Sequence, residues 1–324
     1  MIRIGLLGAS RISRGAVIEP AARIDEVEVS CVAARDPGRA AAFAKEHGIP
    51  HVEPDYEALV GSDAVDIVYN GLPPSGHAPW SIAALEAGKH VLCEKPFAMN
   101  ADEAQAMVDA ADRNDRFLVE AFHHRFHPAW VRALEIVRGG ALGTVQRMNG
   151  RFNVAIAFDP GEIRYKPELG GGAMMDLGCY PVHWVRSVMR TEPAVISASA
   201  TRHESGVDTS MRAELEFPGG VLATVECSMS EDLPEGLDVD LEVDGDAGKL
   251  IMTNPLVPHA GSEIIVERNG ETVREEFAGE STYYHQLLHT AQVLRGEAEP
   301  LTGGADAVGN MRVLDAAYRL AGIR

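Results

Sequence analysis

Two stretches of different texture predict an α/β chain: an N-terminal doubly wound parallel sheet over residues 1–121, then an α/β domain with a large open, mainly antiparallel sheet over residues 122–324. In the first stretch short apolar runs alternate with longer helical segments, the pattern of βαβ units, which must cross over right-handedly. In the second, strands arrive about every ten residues between turns such as Pro218-Gly219-Gly220, Asp244-Gly245-Asp246 and Asn269-Gly270. The last of these is a hairpin signal.

In order, the N-terminal strands are predicted at Ile2–Leu7, Val27–Ala33, Val65–Tyr69, His90–Cys93 and Phe117–Ala121. Helices fall between them at Arg14–Ile24, Gly38–His47, Ala78–Ala87 and Ala101–Asn114, the last started by Asn100 or Ala101 with acids following. A helix at Ala129–Val137 opens the second half. Strands follow at Gly143–Asn153, Val195–Thr201, Met211–Phe217, Val221–Met229, Leu237–Val243, Lys249–Met252, Ile264–Arg268 and Thr272–Phe277. Helices Tyr283–Arg295 and Ala305–Leu320 close the chain. The antiparallel strands alternate apolar and polar residues, so one face packs on helices and the other is open to a second subunit. A homodimer or homotetramer is expected.

A formal charge of −19 opposes binding to nucleic acid or to an anionic membrane surface. No apolar run reaches bilayer length, and the chain opens directly into a strand. Cys31, Cys93, Cys179 and Cys227 lie far apart with no C-x-x-C pair, which indicates neither a zinc site nor a redox motif. Cys31 and Cys93 fall in strands expected to be buried, where a thiol behaves as a small hydrophobe. A cytoplasmic protein without a metal is the expectation.

After the first strand comes Gly8-Ala9-Ser10-Arg11-Ile12-Ser13, where a dinucleotide fold places G-x-G-x-x-G. One of the three glycines is present and serine takes the other two positions. Small residues still admit a pyrophosphate to the backbone, and the following helix start offers unpaired N–H groups. The second strand ends in Ala34-Arg35-Asp36. An acid at the strand end would take the ribose 2′-OH of NAD, whereas arginine accommodates the 2′-phosphate of NADP. Arg35 therefore favours NADP, with NAD possible; the structural alternative is a solvated Arg35 and Asp36 as a helix cap. The third strand runs into Tyr69-Asn70-Gly71-Leu72-Pro73-Pro74-Ser75-Gly76-His77. Its rigid turn, with Leu72 and Pro73, suits the nicotinamide side of a dinucleotide, and His77 reads as a contributor there or as a structural histidine at the helix start.

At the next strand's carboxyl edge, where open α/β sheets bind ligands, stands Gly88-Lys89-His90-Val91-Leu92-Cys93-Glu94-Lys95-Pro96. Lys95, beside Glu94 and fixed by Pro96, is a candidate acid/base group; the plain alternative is an exposed turn. In the second half, Gly170-Gly171-Gly172 lets the backbone approach a ligand before a helix on which Asp176, Tyr180 and His183 stand at i, i+4 and i+7, on one face. Pro181 is expected to kink that helix. Arg164 and Lys166, just before the glycines, are candidates for substrate hydroxyls, a carboxylate or a cofactor phosphate. Trp80, Trp130 and Trp184 are candidates for stacking on a sugar, with core packing the default for the last two.

The loop, the Pro73-to-His77 turn and Ala84-Leu85-Glu86-Ala87-Gly88-Lys89-His90-Val91-Leu92-Cys93-Glu94-Lys95-Pro96 together resemble the glucose-fructose oxidoreductase, inositol dehydrogenase and rhizopine catabolism (Gfo/Idh/MocA) family. The likeness runs from Ile2 to the last helix. It implies a Rossmann domain, an α/β domain with an open antiparallel sheet, NAD(P), and hydride exchange with a sugar, polyol or related carbonyl compound. It further implies that Lys95 sits between nicotinamide and substrate and that the Lys95–Pro96 bond is often cis. Glu120-Ala121 followed by Arg125-Phe126-His127-Pro128 looks like the passage where such chains leave the first domain and line the cleft, which brings Arg125 toward the cofactor. Many members carry histidine where this chain has Tyr180. The tyrosine resembles the branch containing glucose-fructose oxidoreductase, dimeric dihydrodiol dehydrogenase and some sugar 1-dehydrogenases, in which it pairs with the Glu-Lys-Pro lysine.

A free tyrosine, with a pKa of about 10, is a poor base near neutrality, and a neighbouring ammonium such as Lys95 favours its phenolate. The expected roles are proton exchange by Tyr180, polarisation of the same oxygen by Lys95, and orientation by Asp176, with His183 behind them. The rival reading is a non-catalytic dinucleotide-binding sensor of the same fold, as in the galactose-regulon repressor; fold alone does not choose. A cofactor held permanently between two sugars would need a clasping N-terminal arm, which the sequence does not provide.

Overall fold

The computed structural model describes residues 1–323. By contacts it divides into two compact units, one of Met1–Arg125 with Tyr283–Val308 and one of Phe126–Thr282 with Gly309 onward. The late return of the chain to the first unit is not visible in the sequence pattern, which places a single break near residue 121.

The first unit holds six parallel strands, β1 (Ile2–Leu7), β2 (Val27–Ala33), β3 (His51–Val52), β4 (Ile67–Asn70), β5 (His90–Cys93) and β6 (Leu118–Glu120), in the spatial order β3-β2-β1-β4-β5-β6. The order reverses between β1 and β4, the position where doubly wound sheets bind ligands at the strands' carboxyl ends. Leu6, Leu7, Val32, Val68, Val91 and Leu92 are at most 1% exposed. These strands are covered on both faces, which is why they read as continuous apolar runs. Three of their helices start at side-chain caps. Asp36 accepts the amides of Gly38 and Arg39, Asp55 that of Ala58, and Asn100 that of Glu103; each cap contributes about 1 kcal/mol. The sequence reading misses β3 and the helix Tyr56–Gly61, because a two-residue exposed strand and a six-residue helix carry too little periodicity.

The second unit holds eight strands: β7 (Val145–Val154), β8 (Ala194–Arg202), β9 (Asp208–Phe217), β10 (Val221–Ser228), β11 (Leu237–Gly245), β12 (Lys249–Thr253), β13 (Ser262–Arg268) and β14 (Glu271–Phe277). They lie in the order β14-β13-β12-β11-β7-β10-β9-β8. Every pairing is antiparallel except that of β7 with β10, which is parallel. In β10 Val221, Ala223, Val225 and Cys227 are buried while Leu222, Thr224, Glu226 and Ser228 are half-buried on the other face. The helix Cys179–Met189 packs on β7 and β10 and is buried along nearly its whole length. The opposite face carries cross-strand ion pairs, Arg151 with Asp240, Arg212 with Glu226, and Lys249 with Glu242 at 2.6 Å. No described helix is long and apolar enough to cross a membrane.

Candidate active site

In the first unit the loop after β1 is shaped by Gly8, whose φ of +90° is open to glycine at no steric cost. A Cβ there would stand 3.0 Å from the Leu72 side chain, so the loop and the turn after β4 touch. The amide of Gly8 donates to the Ala33 carbonyl at 2.8 Å. Ser10 and Ser13, at the two missing glycine positions, join hydroxyls at 2.6 Å across the start of the next helix. Ala9 is buried while Arg11 and Ile12 are exposed beside it. That leaves a cradle of small residues in front of a helix N-terminus, which fits a pyrophosphate. Arg35 is exposed at the end of β2, and Asp36 spends its carboxylate on the helix cap, so the strand end presents a cation rather than an acid. Arg39, one turn into that helix, donates to the Ala9 carbonyl at 2.9 Å and ties the helix to the loop.

The turns after β4 and β5 are locked together by side chains. Tyr69, fully buried, donates its hydroxyl to Glu94 Oε1 at 2.9 Å, and the Lys95 amide donates to Glu94 Oε2 at 3.2 Å. Burial, reinforced by Glu94, pushes the Tyr69 phenol well up from its usual range, so it remains a donor. Buried Asn70 donates to the His77 carbonyl and to Ser81, both at 3.1 Å. His77 is 0% exposed and sets Nδ1 2.9 Å from the Pro96 carbonyl and Nε2 2.7 Å from that of Leu72. Its ring therefore braces the Leu72-Pro73 turn against the Glu94-Lys95-Pro96 turn. The Lys95–Pro96 bond is cis. Lys95 is half-buried at the carboxyl edge of β5. Arg125, half-buried, ends this unit's first segment. Trp80 packs edge-on against Tyr56, ring centroids 5.1 Å apart.

In the second unit the segment bearing the polar stripe begins with a π-helical turn, Met174–Gly178, and continues as the α-helix Cys179–Met189. The irregularity expected at Pro181 is thus a π turn placed ahead of it, a deformation found frequently at functional sites. Asp176 is half-buried, whereas Tyr180 and His183 are 3% and 1% exposed. Tyr180 meets the ring of Phe152 edge-on at 5.7 Å and lies 6.3 Å from that of Trp184. Trp184 and Trp130 are core residues, centroids 6.2 Å apart. Arg164 donates from Nε to Asp176 Oδ2 at 2.5 Å and pairs through Nη1 with Glu162 at 3.0 Å, which ties the Ile163–Tyr165 turn to the stripe. The stripe's carboxylate is thus paired with a cation held in its own unit, a partner that residue spacing did not reveal. Tyr69 and Glu162 are the other site residues that the sequence reading passes over. Tyr69 ends an ordinary buried strand, and Glu162 lies in a segment without periodicity.

Two family profiles match the chain: "Oxidoreductase family, NAD-binding Rossmann fold" over residues 2–122, and "GFO/IDH/MocA C-terminal domain" over residues 130–251. A D-xylose 1-dehydrogenase (NADP(+)) of Haloferax volcanii is 37% identical over 320 residues, 98% of this chain and 96% of that protein. A trans-1,2-dihydrobenzene-1,2-diol dehydrogenase of Danio rerio is 36% identical over 247 residues, 74% of this chain and 72% of the relative. Among solved structures, KijD10, a 3-ketoreductase from Actinomadura kijaniata crystallised with NADP and TDP-benzene, superposes with a TM-score of 0.89 at 27% identity, over 98% of this chain and 97% of its own. The chain belongs to the Gfo/Idh/MocA family of oxidoreductases.

Proposed function

We propose that the protein is an NADP(H)-dependent oxidoreductase that moves a hydride between the nicotinamide and a sugar, polyol or cyclic diol, in the manner of an aldose 1-dehydrogenase or a dihydrodiol dehydrogenase. What carries this reading is a braced lysine, Lys95, at the carboxyl edge of a parallel sheet, in a chain that also presents Asp176 and Tyr180 on one helical segment. The end-to-end likeness to an NADP-dependent xylose dehydrogenase supports it.

Gly8, Ala9, Ser10, Arg11 and Ile12 would hold the pyrophosphate and Arg35 the 2′-phosphate, with Leu72, Pro73, His77, Glu94, Pro96 and Arg125 shaping the nicotinamide end. The bound dinucleotide supplies the hydride acceptor or donor. Tyr180 takes the proton of the substrate hydroxyl in oxidation and returns it in reduction. Lys95 holds its charge near the same oxygen, which favours both the developing alkoxide and a tyrosinate. Asp176, held by Arg164, orients the sugar, and His183 backs the site. The outer face of the eight-stranded sheet, which sets half-buried Leu222 and Ile251 among its ion pairs, supports a homodimer through that face. Four buried cysteine thiols support a reducing, cytoplasmic setting.

General acid–base catalysis is worth about 10²–10⁴-fold, so Tyr180→Phe should lower kcat by about that factor with little change in NADPH affinity. Lys95→Met should lose rate far more than stability. Steady-state turnover combined with a thermal melt checks both, and near-normal turnover in Tyr180→Phe removes it from proton transfer.

A further inference from the structure

Asp208 is buried where regular strand geometry would turn it outward. In β9 Met211, Ala213, Leu215 and Phe217 are buried, and strict alternation would give the next inward place to Thr209 and send Asp208 to the other face. The register with β8 slips at this point: Thr201 faces Ser210, but Arg202 faces Asp208. Thr209 is the extra residue of a β-bulge, a device that re-aims a side chain. It returns Asp208 to the inner face, where it is 1% exposed.

A carboxylate is costly to bury unless it is well hydrogen-bonded. Asp208 Oδ2 accepts the Met174 amide at 2.7 Å and Oδ1 the Tyr318 hydroxyl at 2.9 Å. Met174 opens the π-helical turn. Gly172, at φ +124°, lies so near that a Cβ would stand 2.2 Å from Asp208 Oδ1 and 2.8 Å from the Tyr318 oxygen. The Gly172 carbonyl accepts the amide of Asp176 at 3.0 Å. Further along, Asn310 donates to the carbonyl of Cys179, the residue before Tyr180, at 3.1 Å. A helix start is ordinarily capped by the residue just before it. Here the acceptor comes from a strand 34 residues downstream, which fixes the start of the helical segment to the sheet.

We infer that Asp208 is a positioning residue: held by the bulge and by Tyr318, it sets the π-helical turn so that Asp176 and Tyr180 are aimed for reaction. The inference rests on the reading of Tyr180 as the proton-transfer group. It makes the role of Asp208 one of hydrogen-bond acceptance and shape, so an asparagine should substitute: its Oδ1 can take the Met174 amide while its amide donates to the Tyr318 oxygen.

The test is a double-mutant cycle on the full chain with NADPH and the best substrate. Because small misplacements cost up to about 100-fold, Asp208→Ala should lower kcat about 30-fold, with the NADPH dissociation constant, read by fluorescence titration, unchanged within about twofold. Asp208→Asn should restore kcat to within about threefold of wild type. In the Tyr180→Phe background Asp208→Ala should cost less than about threefold, since the group it aims is gone. If Asp208→Ala does not fold, Tyr318→Phe enters the same cycle with an expected loss of about threefold that vanishes beside Tyr180→Phe. A folded Asp208→Ala or Tyr318→Phe with wild-type kcat, or a loss that is equally large beside an impaired Tyr180→Phe, overturns the positioning role alone. Normal turnover in Tyr180→Phe by itself overturns the proton-transfer reading and this inference with it.

Discussion

His77 shows how a residue shapes the proposed nicotinamide end without reaching a ligand. Burial outweighs the two carbonyls around it and pushes its imidazole down to about 4. Being depressed from an ordinary value near 6.5, it contributes stability that is fully present above that value and is lost as pH falls toward 4. Linkage puts the loss at about 2 kcal/mol between pH 7 and pH 5. Urea unfolding at those two pH values should show wild type losing about that much more stability than His77→Gln; equal losses would contradict the assignment. At this scale the Glu-Lys-Pro turn was legible, because nine consecutive residues, Gly88 to Pro96, combine a helix stop, a strand and a rigid turn. Tyr69, which holds Glu94, was not, since nothing local separates it from any other buried strand residue. Asp208 was illegible for a sharper reason: the bulge that buries it depends on pairing with β8, and its acceptor role on a distant helix start.

Among the elements, strands with continuous apolar runs or strict alternation were placed to within a residue or two, as were helices bounded by Asp36, Asn100 and Pro128; the exception is β9, expected from Met211 but starting at Asp208, where the bulge breaks the alternation. The pattern could not supply the parallel pairing of β7 with β10, because register between distant strands is set by tertiary packing rather than by local period. Nor could it supply the π turn at Met174–Gly178, where a proline further on was the only visible irregularity. The eight-stranded sheet carries a prediction of its own. Its outer face mixes ion pairs with the half-buried Leu222 and Ile251, a surface suited to self-association through both apolar and charged contacts. The wild-type protein should sediment at twice its chain mass of 34.8 kDa, and Leu222→Glu, on central β10, should sediment as a single chain. A monomeric wild type would remove this face as an interface.

At the level of the whole molecule, family, fold and cofactor class follow from a dense motif and a regular alternation, both of which survive in one sequence. Substrate identity does not: the loops around residues 122–170 and 231–260, proposed to set it, take conformations that depend on contacts such as Arg164 with Asp176. The central claim is hydride exchange between NADP and a sugar or diol at a tyrosine-dependent site. It is tested most directly by following reduced-nicotinamide absorbance while aldoses, inositols and dihydrodiols are each offered with NADP and with NAD. The account predicts turnover with at least one aldose or cyclic diol, faster with NADP. The absence of turnover with every pair, in protein that still binds NADPH, would contradict it and point instead to a dinucleotide-binding regulator.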